Sequence, residues 1–379
     1  MELEYRPDWE RTRARLKAFW AGESVERPLI SVTAPNGRTP GQIVAPPNTR
    51  EGFLNFDYIL TRQEEHIRCT YYAGEAIPSF WPNFGPAITA ACLGGNLEIR
   101  ELEKPGPLAN PFEGADWATP VIEEWERDLP RIGFNPANIW WRRTIEFTHQ
   151  AVERSKGKCL VRTPDIEGGL DTCDALRGTG RLCLDLYDRP DQVVRLLQIV
   201  EDAKKEIVPR LYRELSRYEE GCVSTFEEWA PGPFYSMRCD FSYLVRPDKF
   251  REIAFEHIVR EAEYLYPCTL FHCHNEDYDQ NRAGRLAWLD VICSVPQING
   301  VQWPIPPSRD LEGHRKILAK GKFVYTSVAP QDIWDLLDAL DSKRVWLRVR
   351  ASCPEEADAA VQMVTAWGKT KSDRRLHPL

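Results

Sequence analysis

Short runs of apolar and β-branched residues recur along this chain, separated by longer stretches in which the apolar positions return on a helical period. The runs fall at PLISVTA (28–34), EAIPSFW (75–81), KCLVRTP (158–164), CVSTFEE (222–228), CTLFHCH (268–274), INGVQWP (298–304), KFVYTSV (322–328) and RVWLRVR (344–350). Each has strand length, and most are near-continuously apolar, as expected of strands buried on both faces. Between them, 189–215 places Val193, Leu196, Leu197, Ile199 and Val200 along one helical stripe. Residues 246–266, 332–341 and 355–368 read in the same way. Eight strands alternating with helices predict an α/β fold, a (β/α)8 barrel. A doubly wound open sheet is the alternative, but no glycine-rich dinucleotide fingerprint follows the first strand. Residues 94–138, with KPGPLANPFEGADWATP, read as a loop-rich insertion within a single domain spanning 1–379.

Composition narrows the picture only a little. The chain has 379 residues, 42% hydrophobic and 28% charged, enough for one large core. A formal net charge of −8, without basic runs interleaved with aromatics, argues against a nucleic-acid partner. The charged start MELEYRPDWERTRARLKAFW lacks the apolar core of a secretory signal. No stretch of about 18 uncharged apolar residues is present to span a bilayer. Eleven cysteines without a CxxC pair suit reduced, buried thiols in a cytoplasmic protein. P-loop, HExxH, GxSxG and EF-hand patterns are absent, as is the DxHxxG of a cobalamin-binding module.

In a barrel, chemistry gathers at the C-terminal ends of the strands. LFHCHNEDYD (270–279) puts His272 and His274 there on one face, with Cys273 on the other. Cys353 follows the eighth strand, and Glu227 and Glu228 end the fourth. Two imidazoles, a thiolate and a carboxylate or water make a zinc set with one exchangeable position. The same residues also read as hydrogen-bonded rim histidines and a buried thiol, the more ordinary role of such a set. Asp165 follows the third strand, where it positions substrate or caps the next turn. Trp81, Trp229 and Trp303 stand at or after strand ends, to wall a pocket or to fill the core. Arg38, after the first strand, would take a carboxylate bidentately or face solvent. Asn275 and Tyr278 flank the histidines, as supports of the site or as plain loop residues. His149, His257 and His314 lie in helical segments and read as structural.

The succession WERTRARLKAFWAGESVERPLISV, GEAIPSFWPNFGP, RTPDIEGGLDTCDALRG and INGVQWP resembles the uroporphyrinogen decarboxylase superfamily, from about residue 8 to 370. That resemblance implies the (β/α)8 barrel, in agreement with the strand count, and suggests a homodimer, with a monomer as the alternative. True decarboxylases of the superfamily carry an arginine-rich motif ending in Gln-Ala-Gly-Arg; here ISVTAPNGR keeps only Gly37 and Arg38 of it. The corrinoid-linked methyltransferases of the superfamily bind zinc through His-x-Cys and a distant cysteine. By that likeness His272 matches the histidine, His274 replaces the first cysteine and Cys353 matches the second.

Exchanging a thiolate for an imidazole leaves such a zinc about one charge more positive and a stronger Lewis acid. The resulting expectation is a zinc-dependent methyltransferase working with a separate corrinoid protein. His272, His274 and Cys353 would be the metal ligands, with Glu227 or Glu228 as a fourth ligand or general base and Asp165 as a further catalytic carboxylate. Two rivals are a metal-free decarboxylase or lyase, with Arg38 anchoring a carboxylate, and a non-catalytic small-molecule binding protein.

Overall fold

The computed structural model describes residues 3–23, 25–99, 115–166, 168–265, 267–273 and 281–376. Thirteen strands are formed among these: β1 (Leu29–Pro35), β2 (Thr70–Gly74), β3 (Ser79–Phe80), β4 (Asn96–Ile99), β5 (Ala115–Thr119), β6 (Leu160–Val161), β7 (Cys222–Val223), β8 (Trp229–Ala230), β9 (Met237–Arg238), β10 (Leu270–His272), β11 (Gly300–Gln302), β12 (Phe323–Ser327) and β13 (Val345–Arg350). The central sheet runs in the order β2-β1-β13-β12-β11-β10-β9. Every pairing in it is parallel except β1 with β2. A separate parallel pair joins β3 to β6, and a single parallel bridge from Arg162 to Val223 carries the order on to β7.

All eight expected runs therefore contain strands, three of them only two residues long. The ladders among the described residues do not close, so the architecture is a mixed α/β fold with a central parallel sheet rather than a demonstrated closed barrel. The expected insertion holds regular structure as well: β4 and β5 pair antiparallel, and a short helix, Trp125–Asp128, follows.

Alternation along the strands sorts the core. On β13, Val345, Leu347 and Val349 pack with Ile333, Leu336, Ala357, Val364 and Trp367, which belong to helices Ile333–Leu340 and Pro354–Leu376. Trp346 turns the other way, joining the larger cluster with Phe19, Tyr325 and Phe323, and its indole N–H donates to Ser31 Oγ at 2.9 Å. The long helix Pro190–Leu215 buries Val193, Leu196, Leu197, Val200, Ile207, Val208 and Leu211 as its apolar stripe requires. Each such side chain contributes about 1.5–3 kcal/mol of burial.

Glu75 locks the start of the sheet. Gly74, at φ +62, turns the chain out of β2 so that Glu75 N–H meets the carbonyl of Ile30 at 2.8 Å. The Glu75 carboxylate, fully buried, accepts from Arg27 (2.8 Å), Arg15 (2.7 Å) and the Ile30 N–H (2.7 Å). Burial alone would raise its pKa; Arg27 first, then Arg15, outweigh that and hold it below the ordinary carboxylate value. EAIPSFW begins with this plug, and only Ser79–Phe80 of it is strand.

Candidate active site

The parallel strands finish at a common rim, and a row of charged side chains crosses it. Arg348 and Arg350 lie two and four residues beyond Trp346 and so share its face of β13. Arg162 stands just past β6. Between Arg162 and Arg348 lies Glu227, in the turn joining β7 to β8. Arg162 donates to its Oε1 at 2.8 Å and Arg348 to its Oε2 at 3.0 Å. Loss of hydration would raise the Glu227 pKa, but Arg162 and then Arg348 overcome it, and the group stays ionised below the usual range. Glu227 holds φ +78, a left-handed conformation rarely adopted by a long side chain, which suits a residue fixed by its partners.

Glu228, its neighbour, is treated in the opposite way. The hairpin bond from Ser224 N–H to the Glu228 carbonyl (2.7 Å) turns its side chain into the interior, where it is fully buried. Oε2 accepts from the hydroxyls of Ser224 and, at 3.2 Å, Ser236, whereas Oε1 has no hydrogen-bond partner among the described residues. With two neutral hydroxyls and no adjacent guanidinium bond, burial pushes its pKa up to about 7.

The histidine of the rim is held on two sides. His272 ends β10, in register with Gln302 of β11 and Arg238 of β9. Its Nδ1 lies 2.7 Å from Gln302 Oε1, and its ring stacks on Phe226 with centroids 4.1 Å apart and planes 24° from parallel. An amide oxygen only accepts, so Nδ1–H is the donor in this contact and Gln302 fixes the plane of the ring. Arg238 pairs with Asp165 at 2.7 Å, both buried, and Asp165 N–H is fixed by Asn83 Oδ1 at 2.9 Å. Asp165 thus serves as the counter-ion of Arg238.

The remaining expected residues separate. Trp81 does reach the rim: it lies under the Arg162 guanidinium, 5.6 Å from the ring centroid, and its indole donates to the Thr163 carbonyl at 3.0 Å. Trp229 and Trp303 correct the expectation of a pocket wall, since both are fully buried. Trp229 packs edge-on against Trp9 at 5.5 Å, and Trp303 lies against Gly313, where even a Cβ would come within 2.4 Å. Arg38 is exposed in the loop after β1, and the guanidinium cluster forms without it. Cys353 is half-buried between β13 and helix Pro354–Leu376, its carbonyl taking the Ala357 N–H at 3.1 Å. His274, Asn275 and Tyr278 lie outside the described residues. Among the described residues no three His, Cys, Asp or Glu side chains are grouped to hold a metal ion.

The three helical histidines have structural surroundings. His149 meets Glu214 at 2.8 Å and His257 meets Glu201 at 3.0 Å. His314, fully buried between Asp310 and Thr326, has its pKa pushed down to about 4 by burial.

No family model matches the chain, and no curated protein matches it at significant similarity. Among solved structures, a methyltransferase from Methanosarcina mazei superposes with a TM-score of 0.59, covering 95% of this chain and 98% of that one. The two folds are alike. At 12% identity the likeness is one of architecture across nearly the whole chain. Among the described residues no helix is long and apolar enough to cross a membrane.

The residues not singled out from sequence are the arginines Arg162, Arg238, Arg348 and Arg350. Their signal was there: RVWLRVR alternates apolar with Trp-Arg-Arg on one face, and KCLVRTP and FYSMRCD each put an arginine at a strand end.

Proposed function

We propose that this protein is a methyltransferase that moves a methyl group between a small substrate or thiol and a corrinoid carried on a separate protein. Zinc is its proposed metal, with His272, His274 and Cys353 as ligands. The observation that carries the reading is His272: at the end of β10 its Nδ1 is held by Gln302 Oε1 and its ring is clamped by Phe226, which fixes the imidazole at the strand-end rim. The likeness in fold to a methyltransferase supports the reaction class. Zinc bound by two imidazoles and a thiolate would supply Lewis acidity toward a thiol, alcohol or water.

The chain's own groups divide the remaining work. Glu227 suits neither a ligand nor a base, because both of its oxygens are engaged by Arg162 and Arg348. Glu228, with a pKa of about 7 and one oxygen unengaged among the described residues, suits holding or accepting a proton near neutrality. Asp165 positions Arg238 beside His272 in the ladder.

Elemental analysis of protein purified without a histidine tag tests the reading, beside a His272→Ala, His274→Ala double variant. The expected result is about one zinc per chain in the wild type and none in the variant, followed by methyl exchange with a methylated corrinoid protein. Absence of metal after zinc is supplied under reducing conditions would overturn it. Metal-free chemistry on a carboxylated substrate, which the arginine cluster favours, would then take its place.

A further inference from the structure

The last turn of helix Phe56–Arg68 stands over the rim and carries a histidine with no role so far. Gln63 of this helix exchanges two hydrogen bonds with the Trp81 backbone, at 2.7 and 2.9 Å. The Trp81 ring in turn lies under the Arg162 guanidinium. His66 follows Gln63 by three residues, so it shares that face, one turn nearer the rim. The turn is fixed in place: Thr70 Oγ1 donates to the His66 carbonyl at 2.7 Å, and the Asn36 amide donates to the Arg68 carbonyl at 2.8 Å. Beside it, the ladders set Tyr72, Thr33 and Arg350 in one row across β2, β1 and β13. Tyr72 packs toward the cluster that holds Trp346, so this row is on the face that bears Arg348.

His66 is exposed, and its ring makes no hydrogen bond among the described residues. The charged groups that act on it are Arg162, Glu227 and Arg350. Glu65 and Arg68 of its own helix pair with each other at 2.7 Å, and Arg154 of helix Ile139–Ser155 is taken up by Glu64 and Asp57. The ring is open to water on one side and crowded by the cleft on the other. Loss of hydration, then the charge of Arg162, lowers its pKa, and Glu227 offsets only part of this. Near neutrality the imidazole is therefore uncharged and keeps a lone pair.

We infer that His66 takes the proton of the acceptor thiol or alcohol and hands it to water. The inference rests on the methyltransferase reading and names the base of that reaction. The S–H or O–H bond breaks, its proton goes to the imidazole nitrogen, and its electron pair stays on the sulfur or oxygen. That atom then takes the methyl group, whose former carrier keeps the pair of the broken bond. The imidazolium discharges its proton to bulk water, which reaches His66 directly, whereas Glu228 is fully buried. Arg162 and Arg350 favour that discharge, since neighbouring cations disfavour an imidazolium.

Methyl transfer and chemical labelling together test this. Transfer from methylcobalamin to 2-mercaptoethanol is followed on zinc-supplied wild type, on His66→Gln, and on His149→Gln as a second exposed histidine. In His66→Gln kcat is expected to fall about 100-fold with KM for the thiol within about twofold, and added imidazole restores part of the rate. The rise of wild-type kcat/KM with pH, centred below the ordinary histidine value, disappears with the side chain. His149→Gln matches the wild type throughout. Separately, diethyl pyrocarbonate on metal-free protein labels His66 well before the buried His257 and His314, as read by peptide mapping. An equal kcat in His66→Gln, or resistance of His66 to the reagent, would overturn the inference and leave methyl transfer standing. So would a loss that imidazole does not restore with the pH step intact, which marks a structural role. No transfer by the zinc-supplied wild type would remove the inference and the methyltransferase reading together.

Discussion

Two adjacent glutamates at the end of β7 show how local surroundings decide the chemistry of a side chain. Glu227 meets two guanidiniums and remains ionised; Glu228 meets two hydroxyls and a dry interior and binds its proton up to about pH 7. A raised carboxyl pKa in the folded state costs nothing below the unfolded value, and the cost grows as pH rises from about 4.5 toward 7. Replacing Glu228 with Gln should therefore become progressively more favourable relative to wild type between pH 5 and 7 and level off above. The expected swing is on the order of 3 kcal/mol. Urea denaturation of both proteins at four pH values reads this directly, and a pH-independent difference would show that Glu228 is not held protonated. The pair was visible in the sequence as strand-end carboxylates. Their contrast was not, because Arg162 and Arg348 lie 65 and 121 residues from Glu227 along the chain.

At the scale of elements, the parallel strands were legible because strands covered on both faces read as short continuous apolar runs. The segment around β2 was not. TYYAG begins one residue after helix Phe56–Arg68 and pairs antiparallel with β1, so its pattern merges with its neighbours and it was not among the expected strands, while EAIPSFW holds only the two-residue β3. Gly74 is the hinge of this arrangement. A Cβ there would lie 1.9 Å from the Ile30 carbonyl oxygen, at a φ that already disfavours any side chain. Gly74→Ala should cost about 3 kcal/mol, because it moves the β1–β2 register and draws Glu75 away from Arg27. Guanidinium titration measures the loss, and a cost below about 1 kcal/mol would mean that the Glu75 plug survives without the tight turn.

Across the molecule, the alternation of strands and helices was readable from periodicity, and the fold likeness to a methyltransferase agrees with it over 95% of the chain. The expected closure into a barrel is not shown: the ladders among the described residues stay open, and β3–β6 is a two-residue pair apart from the central sheet. The site divides in a similar way. His272, Asp165, Trp81 and the glutamates came from position relative to strand ends, whereas the burial of Trp229 and Trp303 depended on packing partners distant in sequence. A sheet that ends in β2 also presents a row of backbone carbonyls to the outside. Arg6 covers them, its guanidinium donating to the carbonyls of Tyr72 (2.6 Å) and Gly74 while it remains 4% exposed. Arginine contributes no acceptor of its own, so a second strand approaching this margin meets charge where it needs a matching ladder. Arg6 is in this sense a guard against self-association, and its loss should appear first in the test tube as turbidity. Arg6→Ala is expected to scatter light on incubation at moderate temperature well below its unfolding midpoint, with the wild type clear under the same conditions. A variant that stayed clear until it unfolded would assign that protection to the neighbouring chain instead.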